Sequence, residues 1–391
     1  MTARDKVYAF LCAALIALTV FIPMYLMNKG IDVTDVGQML TNYRNAFDNG
    51  LSISLGTGLS SVAGGIIVRL FPHCPLLALQ VVLWVSYIGM GVMVWLLLKD
   101  KVPTLPLLAA IFAGTMFYRK LAPTFGYNSI SALVLIAGLL MLMTALRKDS
   151  RLLLAASGII FACNALFRLP NILQMGMIVA VFWYYLHGEG GVKKAFSRSA
   201  MFISCVALLG VAFVFVYGLG NFWEDVMHYV ALGSRGSHSI TNMIGDQIRG
   251  YGAGVAWCCI FFALPIVVAV AGTVIKRYRA PFGEKYIKPV SKYAPIAAAV
   301  YAALFAVIFY LIHDSVRDSI LNVRVIYAIC MLSVVLGVYC AVRYRKDDRD
   351  FSALSLAFAI GIATFSMGTD NGIMIDHCIA LLIIPYILAA V

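Results

Sequence analysis

Apolar runs of roughly 17–24 residues recur along the whole 391-residue chain, and each is long enough to cross a ~30 Å hydrocarbon layer as a helix. In lipid a backbone cannot leave its amides and carbonyls unpaired, so a bundle of helices is the default solution. The ten-residue alternating strands of an outer-membrane barrel are not seen. Only 12% of the residues are charged and 62% are hydrophobic, far from the balance of a water-soluble domain. The expected fold is all-α: a polytopic transmembrane helical bundle of about twelve spans, in one integral membrane domain covering 1–391 with no separate soluble domain.

The expected spans are 7–27, 75–98, 103–118, 128–146, 152–168, 171–187, 200–219, 253–276, 293–313, 322–342, 351–368 and 377–391. Val7 to Met27 has no small-residue cleavage site and reads as a retained signal-anchor. The net charge is +12, yet the basic residues mostly occupy short loops: Lys99/Lys101, Arg147/Lys148/Arg151, Lys193/Lys194/Arg198, 276–292 and Arg343 to Arg349. The positive-inside bias makes these loops cytoplasmic, together with Arg4 and Lys6. That accounts for the charge without nucleic acid, which is not an expected partner. Segment 51–71 is apolar but interrupted by Gly56, Gly58, Gly64 and Gly65. If it crossed the bilayer, every later basic loop would fall outside, so it is expected to lie at the interface or re-enter. The nine cysteines show neither a CxxC pair nor metal-ligand spacing and read as small core residues. His73, His228, His238, His313 and His377 likewise show no ligand spacing, so no metal site is expected.

The stretch from Gly30 to Phe47 gathers Asp32, Asp35, Gln38, Tyr43, Arg44 and Asn45 behind the first span. Val36, Met39, Leu40, Tyr43 and Phe47 recur at helical spacing, as in an amphipathic helix on a membrane surface, with Thr34 or Asp35 as its N-cap. Asp35 is the candidate general base for an acceptor hydroxyl, with Asp32 beside it. The remaining outer segments carry basic groups against the charge bias, which suits them to hold a phosphate or pyrophosphate. Arg119 and Lys120 lie in the turn 118–128, with Tyr127 as an aromatic-belt residue and Asn128 as the cap of the next helix. Arg168 ends a span in Asn164-Ala-Leu-Phe-Arg168-Leu-Pro-Asn171, where an arginine facing the bundle needs a partner. Phe222, Trp223 and Tyr229 mark an aromatic surface helix before a loop holding Arg235 and His238. Asp370 and Asn371, in the turn 366–372, could bind a hydroxylated ligand, or form only a turn.

In this order and topology the pieces resemble the GT-C superfamily of membrane glycosyltransferases, which draw on polyprenyl-phosphate-linked sugars. Asp32-Val-Thr-Asp35-Val-Gly37 matches the acidic motif of the first outer loop, on juxtamembrane helices. Pro123-Thr-Phe-Gly-Tyr127-Asn128 looks like the turn that opens a later span. Gly158 to Asn171 is similar to a span ending in a basic residue, proline and asparagine. Gly368-Thr-Asp-Asn-Gly372 resembles a late outer turn, with Asp370 replacing an amide. Val36 stands where a Glu is common in that family. The resemblance divides the chain into a family-like module, 1–175, and a variable transmembrane module, 176–391.

What the resemblance implies is an inverting glycosyltransferase of the cell envelope, facing outward from a bacterial inner membrane. Asp35 and Asp32 would be its catalytic carboxylates. Arg168, Arg119, Lys120 and Arg235 would hold the donor phosphate, and Tyr127, Asn128, Asp370 and Asn371 the substrate. Its partners would be the polyprenyl-linked donor, the bilayer and a glycan, lipid or protein acceptor. No cofactor is required, although a divalent cation such as Mg or Mn is compatible with it. The competing expectations are a transporter or flippase for a lipid-linked or anionic solute, and a non-catalytic assembly subunit.

Overall fold

The computed structural model describes residues 2–26, 33–47, 56–117, 125–233, 239, 241–259, 320–367 and 378–391. These are overwhelmingly helical, with no strand among them. In chain order come α1 (Ala3–Leu26), α2 (Val33–Asn45), α3 (Gly58–Leu70), α4 (Pro75–Leu98), α5 (Thr104–Phe117), α6 (Tyr127–Arg147) and α7 (Arg151–Phe167). A 3-10 segment, Leu169–Gly176, leads into α8 (Met177–Leu186), followed by α9 (Gly191–Tyr217) and α10 (Leu219–Gly233). Further helices cover 241–259, Ile320–Arg343, Arg349–Phe365 and Ala380–Ala390. Among the described residues six stretches are long and apolar enough to cross a bilayer: Asp5–Tyr25, Pro75–Leu98, Tyr127–Arg147, Leu169–Leu186, Gly191–Tyr217 and Val325–Arg343. This is a multi-pass helical membrane protein. The expected spans 253–276 and 293–313 lie largely or wholly outside the described residues.

Packing divides the chain into two compact units, one formed by Met1–Gln247 with Ser333–Val391 and the other by Ile248–Leu332. In the first, α6 packs on α7, α7 and α8 on α9, and Ala380–Ala390 on α5 and α4. Helices from both sides of residue 175 therefore share one bundle. In the second unit, among its described residues, Gly254 lets two helices approach closely. A Cβ there would stand 2.6 Å from the carbonyl oxygen of Tyr327, and the Cys258 thiol reaches the Ala328 carbonyl at 3.0 Å.

Of the loops expected on the cytoplasmic side, 276–292 lies outside the described residues; the others gather at one end of the first unit, where they are tied by charge. Lys101 pairs with Asp348, and Arg147 Nε lies 3.3 Å from Asp350. Asp149 receives Lys194 and Arg198, each at 2.8 Å, and the Tyr185 hydroxyl at 2.9 Å. Arg349 donates to the Tyr184 hydroxyl at 3.1 Å. The amide of Leu105 donates to the hydroxyl of Tyr8, bringing the start of α1 to the same end. Across 99–101, 147–151, 187–198 and 343–350 there are twelve Lys or Arg and six Asp or Glu. This is the basic end of the bundle.

At the opposite end, α3 settles the role of segment 56–71. Its 13 residues make a rod of roughly 20 Å, too short to span. Its start and its finish lie at this same end: the Gly56 carbonyl accepts the amide of Leu169, and Phe71 leads into Cys74 and the first turn of α4. Over 56–71 the fold agrees with the expectation of a non-crossing segment; residues 51–55 lie outside the described residues.

The cysteines depart from expectation in part. Cys330, Cys340 and Cys378 are buried, but Cys74 and Cys259 are exposed. Cys74 precedes α4 at the bundle rim, so its neighbours are too few to enclose it.

Candidate functional site

The site is assembled at the end opposite the basic loops. α2 and α3 form a close pair there because Gly64 and Gly65 present no side chain. A Cβ on Gly64 would lie 2.5 Å from the ring of Tyr43, and one on Gly65 2.8 Å from the Tyr43 carbonyl oxygen. Tyr43 is thus clamped over bare backbone, and its hydroxyl donates to the carbonyl of Phe125 at 2.8 Å. Burial, and less strongly the neighbouring Tyr127, push its phenol well above the usual range. Arg69 of α3 lies over the ring of Phe47, 4.4 Å from its centroid. The surface helix is thereby pinned to the start of α6.

α2 starts at Val33, so Thr34 and Asp35 belong to its first turn and neither is its N-cap, a correction to the capping expectation. The apolar stripe read from Val36 onward stopped short of Val33, three residues earlier at the same helical spacing. The backbone thus places Asp35 at the N-terminal end of a helix docked on the bundle. Asp32 lies outside the described residues. A second correction concerns Asn128: α6 begins at Tyr127 with Gly126 preceding it in extended conformation, so Asn128 sits in the first turn. Tyr127 and Asn128 are half-buried, and Asn128 Oδ1 is enclosed without a partner among the described residues.

The centre of the site is the turn between α7 and α8. Pro170 has no amide to donate to a continuing α-helix, and the helix ends at Phe167 with Arg168 in extended conformation. The chain then reverses through the 3-10 segment. Four polar side chains at spacings of four, three and three (Asn164, Arg168, Asn171 and Gln174) fold inward at this reversal. Asn164 Nδ2 donates to Gln174 Oε1 at 2.7 Å and to the Ser131 carbonyl at 3.2 Å. Asn171 Nδ2 reaches the Ser131 hydroxyl at 2.9 Å, Asn164 Oδ1 at 3.1 Å and the Asn164 carbonyl at 3.2 Å. Both asparagines and Gln174 are wholly buried.

Arg168 is 3% exposed. Its guanidinium donates to the carbonyls of Phe365 at 2.5 Å and Met367 at 3.3 Å and to Asn171 Oδ1 at 3.4 Å, and it lies 5.5 Å from the Phe365 ring centroid. A cation placed on the last carbonyls of the Arg349–Phe365 helix is favoured by that helix's dipole. Gln247 Nε2 donates to the Ser366 hydroxyl at 2.7 Å and binds the same turn from another helix. Arg168 is therefore built into the bundle, and it fixes the chain that leads on to Asp370 and Asn371. Those two residues, with Arg119, Lys120 and Arg235, lie outside the described residues.

The arrangement joins three of the four stretches that carry the family resemblance: the acidic loop helix, the Tyr127–Asn128 turn and the Arg168–Asn171 turn. Sequence reasoning missed Gln174, Ser131 and the anchoring role of Tyr43. The i, i+4, i+7, i+10 recurrence of amides and arginine was the signal available for Gln174. Among the described residues no group of three His, Cys, Asp or Glu is close enough to hold a metal ion. No family model matches the chain, and neither does any characterised protein or solved structure.

Proposed function

We propose that this protein is a membrane glycosyltransferase that moves a sugar from a polyprenyl-phosphate or pyrophosphate donor to an acceptor hydroxyl at the end of the bundle opposite its basic loops. The observation that supports it is the segregation of polar chemistry. In the six long apolar stretches every Lys, Arg, Asp and Glu lies within about two turns of an end. A transporter would place such groups near mid-membrane, in broken helices. Here the amide and arginine cluster lies instead at a rim, at the same end of the bundle as the surface helix that carries Asp35. A lipid-borne donor meets the protein at that rim.

In this reading Asp35 orients the acceptor hydroxyl and takes its proton as the oxygen attacks the anomeric carbon, with Asp32 beside it. The bond from the anomeric carbon to the donor phosphate breaks, and the phosphate leaves with the electron pair. Basic groups stabilise that growing charge. Arg119, Lys120 and Arg235 fill this part, while the buried Arg168 holds the 366–367 turn in place. Tyr127, Asn128, Asp370 and Asn371 line the substrate side. The active face is the outer face of a bacterial inner membrane, and the full chain makes about twelve crossings. A Mg or Mn ion is compatible with such a donor and is not required by it.

The test is transfer from radiolabelled polyprenyl-phosphate sugars in membranes holding equal amounts of wild type, Asp35→Asn and Asp32→Asn. Loss of transfer by a factor of 100 or more in Asp35→Asn is expected, the scale of a removed general base. Undiminished transfer in that variant would take Asp35 out of the mechanism.

A further inference from the structure

A groove of about 280 Å³ runs between α1, α4 and α5, on the half of the bundle that ends in the basic loops. Its walls are Ile16 and Val20 of α1, Ile88, Gly91 and Trp95 of α4, and Leu108 and Ile111 of α5, among others. Thr19 also lines it, but that hydroxyl is spent on the Leu15 carbonyl at 2.8 Å. From Trp95 to Ile88 and from Thr104 to Ile111 the helices advance roughly 10 Å, so the groove runs most of one leaflet's ~15 Å depth. At its deep end Trp84, one turn from Ile88, donates to the Val20 carbonyl at 2.8 Å and ties α1 to α4. Along its length α1 is otherwise sparsely covered, with Ile16 half exposed.

The rim of the groove is charged. Lys99, one turn past Trp95, holds its ammonium 5.2 Å from the Trp95 ring centroid, and Lys6 lies in the first turns of α1. Lys101 is engaged by Asp348. Asp5 and Asp100 share this rim, with Asp5 accepting the amide of Thr2. The end as a whole carries the two-to-one surplus of basic residues described above.

We propose that this groove holds one acyl chain of an anionic phospholipid from the leaflet on the basic side, with its phosphate at Lys99. An apolar slot one leaflet deep, floored by a hydrogen bond and rimmed by a cation on an aromatic ring, matches an acyl chain joined to an anionic headgroup. The polyprenyl donor is a poorer match, because the groove lies at the opposite end from α2, α3 and Arg168. The bound lipid would cover the exposed face of α1 where it lines the groove with α4 and α5. Only the exclusion of the polyprenyl donor rests on the transferase reading; the apolar slot and its cationic rim do not.

The experiment is native mass spectrometry of the full chain in detergent with equimolar phosphatidylglycerol, phosphatidylcholine and a polyprenyl phosphate. Wild type is expected to retain phosphatidylglycerol above the other two. Lys99→Gln should lower the preference for phosphatidylglycerol over phosphatidylcholine about fivefold, the weight of one basic group near an anionic surface. Ile88→Trp should remove retention of both, and Val92→Trp, at an exposed position on the groove wall, serves the same purpose if Ile88→Trp does not fold. Equal retention of the two phospholipids by wild type, preference unchanged in Lys99→Gln, or displacement of phosphatidylglycerol by the polyprenyl phosphate would overturn the proposal.

Discussion

Replacing Asn171 by alanine probes how far the bundle depends on the turn between α7 and α8. The side chain is wholly buried and makes four contacts: two with Asn164, one with the Ser131 hydroxyl and one from Arg168. Its amide has two hydrogens for three acceptors, so about three effective hydrogen bonds are lost. At about 0.6 kcal/mol for each in a membrane bundle, the loss is about 2 kcal/mol. The alanine leaves Asn164 Oδ1 without its donor from Asn171, and one buried orphan adds about 1–3 kcal/mol. A total of about 3–5 kcal/mol follows. Ser131→Ala gives the reference, because it removes one of these bonds while the Ser131 carbonyl still accepts from Asn164, for about 0.6 kcal/mol. Both can be read by thermal unfolding in detergent, followed by tryptophan fluorescence. Asn171→Ala should melt several degrees below Ser131→Ala. Equal midpoints would mean that the amide cluster does not hold the turn, and the reasoning would fail.

Further outcomes follow from other contacts. Gly64→Ala puts a methyl within 2.5 Å of the Tyr43 ring and should undock α2, seen as a lower melting temperature or a smaller monodisperse fraction in size-exclusion chromatography. Tyr43→Phe, which loses only the bond to Phe125, should cost about 1 kcal/mol, and wild-type behaviour of Gly64→Ala would refute the close approach. Asp149→Asn keeps a residue that tolerates the positive φ of 46° there but removes the charge facing Lys194 and Arg198. Since Asp149 is 46% exposed, each pair is worth about 0.5 kcal/mol, measurable by a double-mutant cycle with Lys194→Gln. The hydrogen bond from Lys194 lowers the Asp149 carboxyl most, against some desolvation, with Tyr185 and Arg198 adding to it. A depressed carboxylate stabilises the fold above its ordinary value and loses that contribution as pH falls through the folded one. The wild-type advantage over Asp149→Asn should therefore persist at neutrality, begin to fall below about pH 4 and be lost once the lowered folded value is passed.

Much of this architecture was legible because the bilayer imposes length and charge rules that act locally along the chain. Among the described residues, the basic loops that the sequence groups on one side do meet at one end, through Lys101 with Asp348 and Asp149 with Lys194. The sequence could not pair them, since those partners stand 247 and 45 residues apart. Segment 56–71 was readable only as an exception to the charge rule; its cause is Tyr43 filling the space above Gly64. Arg168 shows the limit most plainly. Its position at a proline-broken span end marked it as special, but the carbonyls that receive it come from Phe365 and Met367, which no local pattern links to it. Helix starts shifted by one to two residues at Asp35 and Asn128 because apolar spacing reports the buried face and not where the first turn begins.

The central claim is that the rim built by α2, α3 and the Arg168 turn transfers sugar from a polyprenyl carrier. Purified wild-type protein, reconstituted in liposomes with a panel of polyprenyl-phosphate and pyrophosphate sugars, measures it directly by release of the free polyprenyl phosphate or pyrophosphate. The account predicts release with at least one donor, abolished in Asp35→Asn at unchanged protein level. If no donor is consumed by protein that is folded and correctly inserted, or if Asp35→Asn consumes it as fast as wild type, the transferase reading is contradicted.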